Sequence, residues 1–211
     1  MHATRILLLR HGKTQGKPGI LYSQQDVPLN EEGWLQTEKL IQGLEPLPLA
    51  AVYASDLSRA RVAAERLSEK KGLPLVITPK LREIDFGAWS GKHFQELLAL
   101  PEFRARLSDP ERIAPPGGES LRDLAQRAEE VIQEILSHYQ GKLVAVFTHG
   151  GLIRAVLTRA LGAGLKHFFR LHQDYAAVNL IDYYPEGPVV RLVNGPFDLN
   201  FKTLLGRECL V

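Results

Sequence analysis

Leu143-Val144-Ala145-Val146-Phe147-Thr148-His149-Gly150-Gly151-Leu152-Ile153 is the stretch whose reading decides the fold. Its first five residues are all apolar, and a short run apolar on both faces reads as a strand buried inside a parallel sheet. Beyond His149-Gly150 the period changes. Leu152, Ile153, Val156, Leu157, Ala160 and Leu161 step by three and four, with Gly162 placed to end the turn, which predicts a helix with one apolar face. A buried strand passing directly into a helix is half of a β-α-β unit. The same alternation recurs upstream. Ile6-Leu7-Leu8-Leu9, Ala51-Val52-Tyr53-Ala54 and Leu75-Val76-Ile77 read as strands. Helices are predicted over about 31–44, capped by Asn30 and buried through Trp34, Leu40, Ile41 and Leu44, and over about 57–70, with Asp56 as N-cap. Ser120-Leu121-Arg122-Asp123 opens a long amphipathic helix with a capping box. Residues 178–184 and 188–193, split by Pro185-Glu186-Gly187, read as a hairpin on the sheet edge. Strands alternating with helices imply an α/β fold with a mostly parallel sheet and an antiparallel edge.

No repeat, low-complexity tract or linker interrupts the chain, so a single domain is expected over 1–211. Five of the thirteen prolines fall in residues 79–119. That part lacks long periodicity, and about 86–119 reads as a lid or insertion with one or two short helices near 93–106. The whole chain of 211 residues is 45% apolar and 24% charged, with a net charge of +2, the composition of an ordinary globular protein. So small an excess without a basic stripe gives no nucleic-acid footprint. The single cysteine, Cys209, fits a reducing compartment. The start of the chain predicts neither a signal peptide nor a membrane span. A cytoplasmic protein with no membrane partner is expected; a homo-oligomer stays open.

Two of the buried strands end in His-Gly, at Arg10-His11-Gly12 and at Thr148-His149-Gly150. Ligands of open α/β sheets bind beyond the carboxyl ends of the strands, and a helix N-terminus follows His149, which favours an anion. One strand-end histidine is commonly just a polar residue where a strand surfaces; two of them point to a site. Arg59 sits early in the helix after the second strand, where a cation opposes the helix dipole. Beside two histidines, such an arginine suggests an anionic ligand such as a phosphate monoester. Glu83, in Leu81-Arg82-Glu83-Ile84-Asp85-Phe86-Gly87-Ala88-Trp89, has apolar and aromatic neighbours that would desolvate it and favour the protonated form a general acid needs. Spacing alone does not choose between Glu83 and Asp85, and an ion pair between Glu83 and Arg82 is the plainer alternative.

Taken in order, these motifs resemble the histidine phosphatase superfamily, the phosphoglycerate-mutase-like proteins. Leu8-Leu9-Arg10-His11-Gly12 is similar to its RHG signature. Asp26-Val27-Pro28-Leu29 through Gly33 and Gln36, Ser55-Asp56-Leu57-Ser58-Arg59-Ala60, Glu83, Gly117-Gly118-Glu119-Ser120 and Thr148-His149-Gly150-Gly151-Leu152-Ile153-Arg154 follow its further motifs. The resemblance implies a three-layer α/β/α sandwich. It also implies His11 as phosphoryl-accepting nucleophile, and Arg10, Arg59 and His149 as three cations on the phosphate oxygens. Glu83 is then the acid and base. Gly150 would contact substrate, as would Thr14, Lys17, Tyr22 and Ser23 at the rim. Lys13 stands where the family commonly has Glu. Gln15-Gly16-Lys17 replaces its Trp-Asn pair, leaving Thr14 or Lys17 to stand in for a phosphate-contacting Asn. No metal and no cofactor are implied.

The expected activity is metal-independent hydrolysis of a small phosphorylated metabolite through phosphohistidine. Phosphosugars, 3-phosphoglycerate, phosphoserine and α-ribazole phosphate all fall within the resembling branch. A cofactor-dependent phosphoglycerate mutase is the alternative. The residues around Glu83 and the chain length resemble the phosphatase branch instead. A non-catalytic phosphate-binding module would be expected to have lost His11 or Glu83, and both are present.

Overall fold

The computed structural model describes residues 3–206; Cys209 lies outside them. Six strands form one mixed sheet in the order β3-β2-β4-β1-β5-β6. They are β1 (Thr4–Arg10), β2 (Leu49–Ala54), β3 (Leu75–Ile77), β4 (Leu143–Thr148), β5 (Val178–Tyr184) and β6 (Gly187–Gly195). The first four are mutually parallel, and β5 and β6 pair antiparallel at one edge. The central strands are apolar throughout because both faces are covered. Ile6, Leu8, Val144 and Val146 meet α5 (Leu121–His138) and α6 (Gly150–Ala160) on one side. Leu7, Leu9, Ala145 and Phe147 meet α1 (Glu31–Leu44) and α2 (Ser58–Lys71) on the other. Alternate residues of one strand thus serve two separate cores, and the architecture is the three-layer α/β/α sandwich.

The element ends follow local chemistry closely. The Asn30 side chain accepts from Gly33 N–H and opens α1, and Ser120 and Asp123 form the reciprocal capping box of α5. Two expectations need correction. Trp34 is 36% exposed, its ring covered by the Arg66 guanidinium rather than by the core. Asp56 does not cap α2. Its carboxylate holds Arg82 at 2.6 and 2.8 Å, and the cap comes from Asp26, which accepts from Ser58 N–H and Oγ–H.

Residues 86–119 carry two short helices, α3 (Phe94–Leu98) and α4 (Pro101–Ser108). They pack around a small cluster of their own, Trp89, Leu97 and Phe103. The Ile20–His93 bridge ties this segment to the long loop after β1. Last comes α7 (Phe201–Gly206), which seats Phe201 in the core beneath α1 and α2.

Candidate active site

The parallel register determines which side chains meet. Arg10 lies opposite Thr148 across β1 and β4, and Ala54 opposite Phe147 across β2 and β4. One residue further along, His11, His149 and Ser55 therefore emerge side by side at the carboxyl edge. The two imidazole centroids are 5.1 Å apart, and His149 Nε2 lies 2.8 Å from Ser55 Oγ. The antiparallel strand β5 begins at this same edge, so the loop before it delivers Gln173 and Tyr175. Gly12 is required by packing, since a Cβ there would overlap the Gly33 carbonyl.

His11 is nearly buried and its Nδ1 lies 2.8 Å from the Gly12 carbonyl oxygen. A carbonyl only accepts, so Nδ1 carries the proton and Nε2 keeps its lone pair. Burial, and then the Arg10 and Arg59 charges, hold the His11 pKa well below the usual histidine range. His149 is wholly buried, and burial, followed by neighbouring His11 and then the Arg59 and Arg10 charges, depresses its pKa as well. The expected third cation is thus a neutral imidazole here.

Arg10 and Arg59 are the charges at the centre. Arg10 donates to the Gln173 carbonyl, and its guanidinium lies 4.2 Å from the Tyr175 ring centroid. Arg59, 4% exposed, donates to the carbonyls of Ser23 and Gln25 at 2.9 and 2.7 Å. Burial lowers the pKa of both, and the Glu83 carboxylate opposes that shift in each. Among the described residues, three buried side-chain polar atoms make no hydrogen bond: Arg10 Nε, His149 Nδ1 and Asp182 Oδ1. The last faces Arg5 at 3.7 Å on β5. The other two lie at this site: Arg10 Nε is a donor, and His149 Nδ1 is one in the tautomer whose Nε2 accepts from Ser55, so both suit an acceptor-only ligand.

Glu83 accepts from Ile84 N–H at 2.8 Å and from Gly151 N–H, in the first turn of α6, at 3.1 Å. A Cβ at Gly151 would overlap that carboxylate. The aromatic neighbours do not wrap it as expected, since Trp89 turns into the cluster of residues 86–119. Glu83 is also not paired with Arg82, which Asp56 holds. Asp85 is used elsewhere, accepting from Gly87 N–H. The backbone carrying Glu83 is clamped from behind by Arg127. Its guanidinium donates to the carbonyls of Lys80, Arg82 and Glu83 and pairs with Glu119 at 2.6 Å.

The site opens onto a cavity of about 310 Å³, which His149, expected to contact the phosphate, does not line because it is wholly buried. Arg10, His11, Arg59, Glu83, Thr14, Tyr22 and Ser23 all line it. The rim expectations are only partly met. Lys17 does not line the cavity; its backbone N–H donates to the Tyr22 hydroxyl. Ser23 Oγ is committed to Ile84 and Phe86. Gly150 lies buried against the Arg10 guanidinium, and Gly151 is the helix residue that reaches the cavity. Sequence reasoning missed Arg154 and Tyr175 as lining residues. Arg154 follows His149 by five residues in the quoted motif, a usable signal; Tyr175 sits in an aperiodic loop and has none. Among the described residues, no group of three His, Cys, Asp or Glu side chains is placed to hold a metal ion.

The model of the histidine phosphatase superfamily (branch 1) matches residues 6–196. The chain belongs to the histidine phosphatase superfamily. A bifunctional protein of Mycobacterium tuberculosis is 38% identical over 195 residues, which are 90% of this chain and 54% of that protein. The chain thus spans about half the length of the first curated relatives it matches. The metal-independent phosphoserine phosphatase of Arabidopsis thaliana is 35% identical over 173 residues, 76% of this chain and 71% of that one. A mycobacterial glucosyl-3-phosphoglycerate phosphatase superposes with a TM-score of 0.83 at 26% identity, covering 92% of this chain and 99% of that structure. As in such folds, the site lies at the carboxyl edge of the parallel strands. No helix among the described residues is long and apolar enough to cross a membrane.

Proposed function

We propose that this histidine phosphatase hydrolyses small phosphomonoesters through a phosphohistidine at His11. The observation that carries this reading is the neutral His11 with its free Nε2, set among Arg10, Arg59 and Glu83 and beside two unpaired donors. A phosphoryl dianion offers only acceptors, and charge-assisted bonds to it are strong. Arg10 and Arg59 neutralise it. With the Ser55 hydroxyl donating to His149 Nε2, Nδ1–H of His149 is left as an unpaired neutral donor beside His11. His11 Nε2 attacks phosphorus and the ester P–O bond breaks. Protonated Glu83 gives its proton to the leaving oxygen. Water then attacks the phosphohistidine, Glu83 takes the proton back, and the P–N bond opens to release phosphate and free His11. The guanidinium groups do the electrostatic work in this scheme, so turnover survives chelation.

Related proteins named as phosphoserine and glucosyl-3-phosphoglycerate phosphatases support a small phosphorylated metabolite as substrate. The single-cysteine composition supports a cytoplasmic setting. We read 1–211 as one domain in which 86–119 walls the cavity in the manner of a lid. Rapid quench without acid should trap labelled phosphate on His11, and His11→Ala should lower kcat by at least about 10³-fold. Label on another residue, or a fully active variant, overturns the mechanism.

A further inference from the structure

The cavity lining combines two unlike sets. Beside the charged groups it includes Ile20, Leu21, Phe94, Leu107, Phe168 and Phe169. Three of these are conspicuously exposed for their type: Phe94 and Leu107 at 38% and Phe169 at 57%. They come from three separate segments, α3, α4 and the turn at Leu165–Arg170, yet converge on one mouth. Scattered exposed apolar residues are ordinary; a set converging on a concavity marks an apolar ligand.

Several polar groups of the lining are partly engaged within the protein. The Tyr22 hydroxyl accepts from Lys17 N–H, and Ser23 Oγ bonds Ile84 and Phe86. Arg154 Nε donates to the Leu171 carbonyl at 2.7 Å, and Arg106 Nη1 to the Ile113 carbonyl. Both guanidinium groups lie over aromatic rings, Arg154 at 5.8 Å from the Phe168 centroid and Arg106 at 5.6 Å from that of Phe86. Arg106 is 3% exposed, so Arg154 is the one of the two that presents a planar face on which a further ring can stack. No Asn, Gln or Asp lines the cavity, and Glu83 is its one carboxylate. A substrate amino group or a set of sugar hydroxyls would find few acceptors there beyond the Thr14, Tyr22 and Tyr175 hydroxyls, and unpaired polar groups are rejected strongly.

We infer that the preferred substrate is a phosphomonoester of a bulky apolar alcohol, best one that carries an aromatic ring. The inference rests on the phosphatase reading and deepens it. The test is kcat/KM across ethyl, butyl, hexyl and 2-phenylethyl phosphate, compared with O-phosphoserine, glycerol 3-phosphate and 3-phosphoglycerate. All the alkyl members leave as primary alcohols of similar acidity, so their size changes binding rather than intrinsic reactivity. Each added methylene should raise kcat/KM about threefold to fourfold until the cavity is filled. Phenylethyl phosphate should exceed the polar esters by about 100-fold or more. Phe169→Ser and Leu107→Ser, both at exposed positions, should flatten the series. A flat series, or O-phosphoserine or 3-phosphoglycerate ahead of phenylethyl phosphate, overturns the inference and leaves the phosphatase reading standing. Release of phosphate from none of these, nor from p-nitrophenyl phosphate, overturns that reading itself.

Discussion

Two strand-to-helix junctions supply this site, and they are built on opposite plans. From β4 to α6 the chain turns within one residue, His149. The helix has no side-chain cap, and its first turn instead gives the Gly151 N–H to Glu83. From β2 to α2 the chain takes three residues, and a distant loop supplies what the junction lacks. Asp26 caps the helix, while the carbonyls of Ser23 and Gln25 hold Arg59. The first junction is set by strand register and, on the proposed mechanism, would act through a carboxylate that handles protons. The second is set by tertiary contact and would act through a charge that grips phosphate. Losses at the two should therefore differ in how they depend on substrate.

Glu83, anchored on the β4–α6 junction, gives the largest expected difference. A leaving alkoxide needs a proton, whereas p-nitrophenolate hardly does. Glu83→Gln should lower kcat/KM for an alkyl phosphate by about 10²–10⁴-fold, the range of general acid catalysis, and for p-nitrophenyl phosphate far less. Because kcat/KM reports steps through phosphoryl transfer, later hydrolysis of phosphohistidine does not blur the comparison. If Asp85→Asn shows this leaving-group dependence and Glu83→Gln does not, the two carboxylates must exchange roles.

Arg59, at the other junction, should behave differently. In the proposed mechanism its charge-assisted contact is to the phosphoryl group that both substrates share. Arg59→Ala should slow both by similar factors, about 10–100-fold from about 1.5–3 kcal/mol. Arg59→Lys should restore little, because one ammonium cannot span two carbonyls and a phosphate as a planar fork does. A strong dependence on leaving group in Arg59→Ala would break the distinction between the junctions.

The same contrast explains what the sequence made legible. The β4–α6 junction is local: an apolar run, His149-Gly150 and a change of period within one window, so its strand, helix and histidine could all be read. So could His11, because β1 is equally apolar. The β2–α2 junction depends on a partner about thirty residues upstream. Local reading chose Asp56 as cap because it stands next to the helix, whereas Asp26 carries that role. Glu83 was found by its motif, but its surroundings were not, since the aromatic neighbours pack with residues beyond position 90. Charge state was equally hidden. That His149 is neutral follows from complete burial beside His11 and two arginines, which no spacing shows.

Buried neutral histidines make the β4 side of the site sensitive to acid. The folded pKa of His11 and of His149 lies below the ordinary value, through burial first and neighbouring positive groups second. Below about pH 6.5 the unfolded chain binds protons that the folded chain refuses. Their contribution is therefore fully present above that pH and is lost as pH falls. The slope is about 1.4 kcal/mol per pH unit for each histidine. His149→Gln should reduce the loss of stability between pH 6.5 and 5.5, followed by urea midpoints, and Arg59→Ala, which leaves both histidines buried and removes only a secondary cause, should reduce it less. An unchanged slope in His149→Gln would show that this histidine binds protons alike in the folded and unfolded chain, and a steeper one that it is already charged when folded.

The smallest effect separates the two aspartates of the β2–α2 junction. Asp26 accepts from Ser58 N–H at 2.9 Å and from its hydroxyl at 2.7 Å, and so satisfies an otherwise orphaned donor of the first turn. Losing such a cap costs about 1 kcal/mol, which lowers Tm by about 2–4 °C in a chain of this size. Asp56 instead pairs with Arg82, and both side chains are about a third exposed. Solvent screens such a pair, so its loss should cost less than about 1 kcal/mol. Asp26→Ala should therefore lower Tm more than Asp56→Ala, and Asp26→Asn, which keeps an accepting oxygen, should recover most of the difference. Added salt should narrow the deficit of Asp56→Ala, because it weakens the ion pair in the parent. It should barely touch the loss that Asp26→Asn repairs. The reverse ranking would return the cap to Asp56 and make the junction as local as its neighbour.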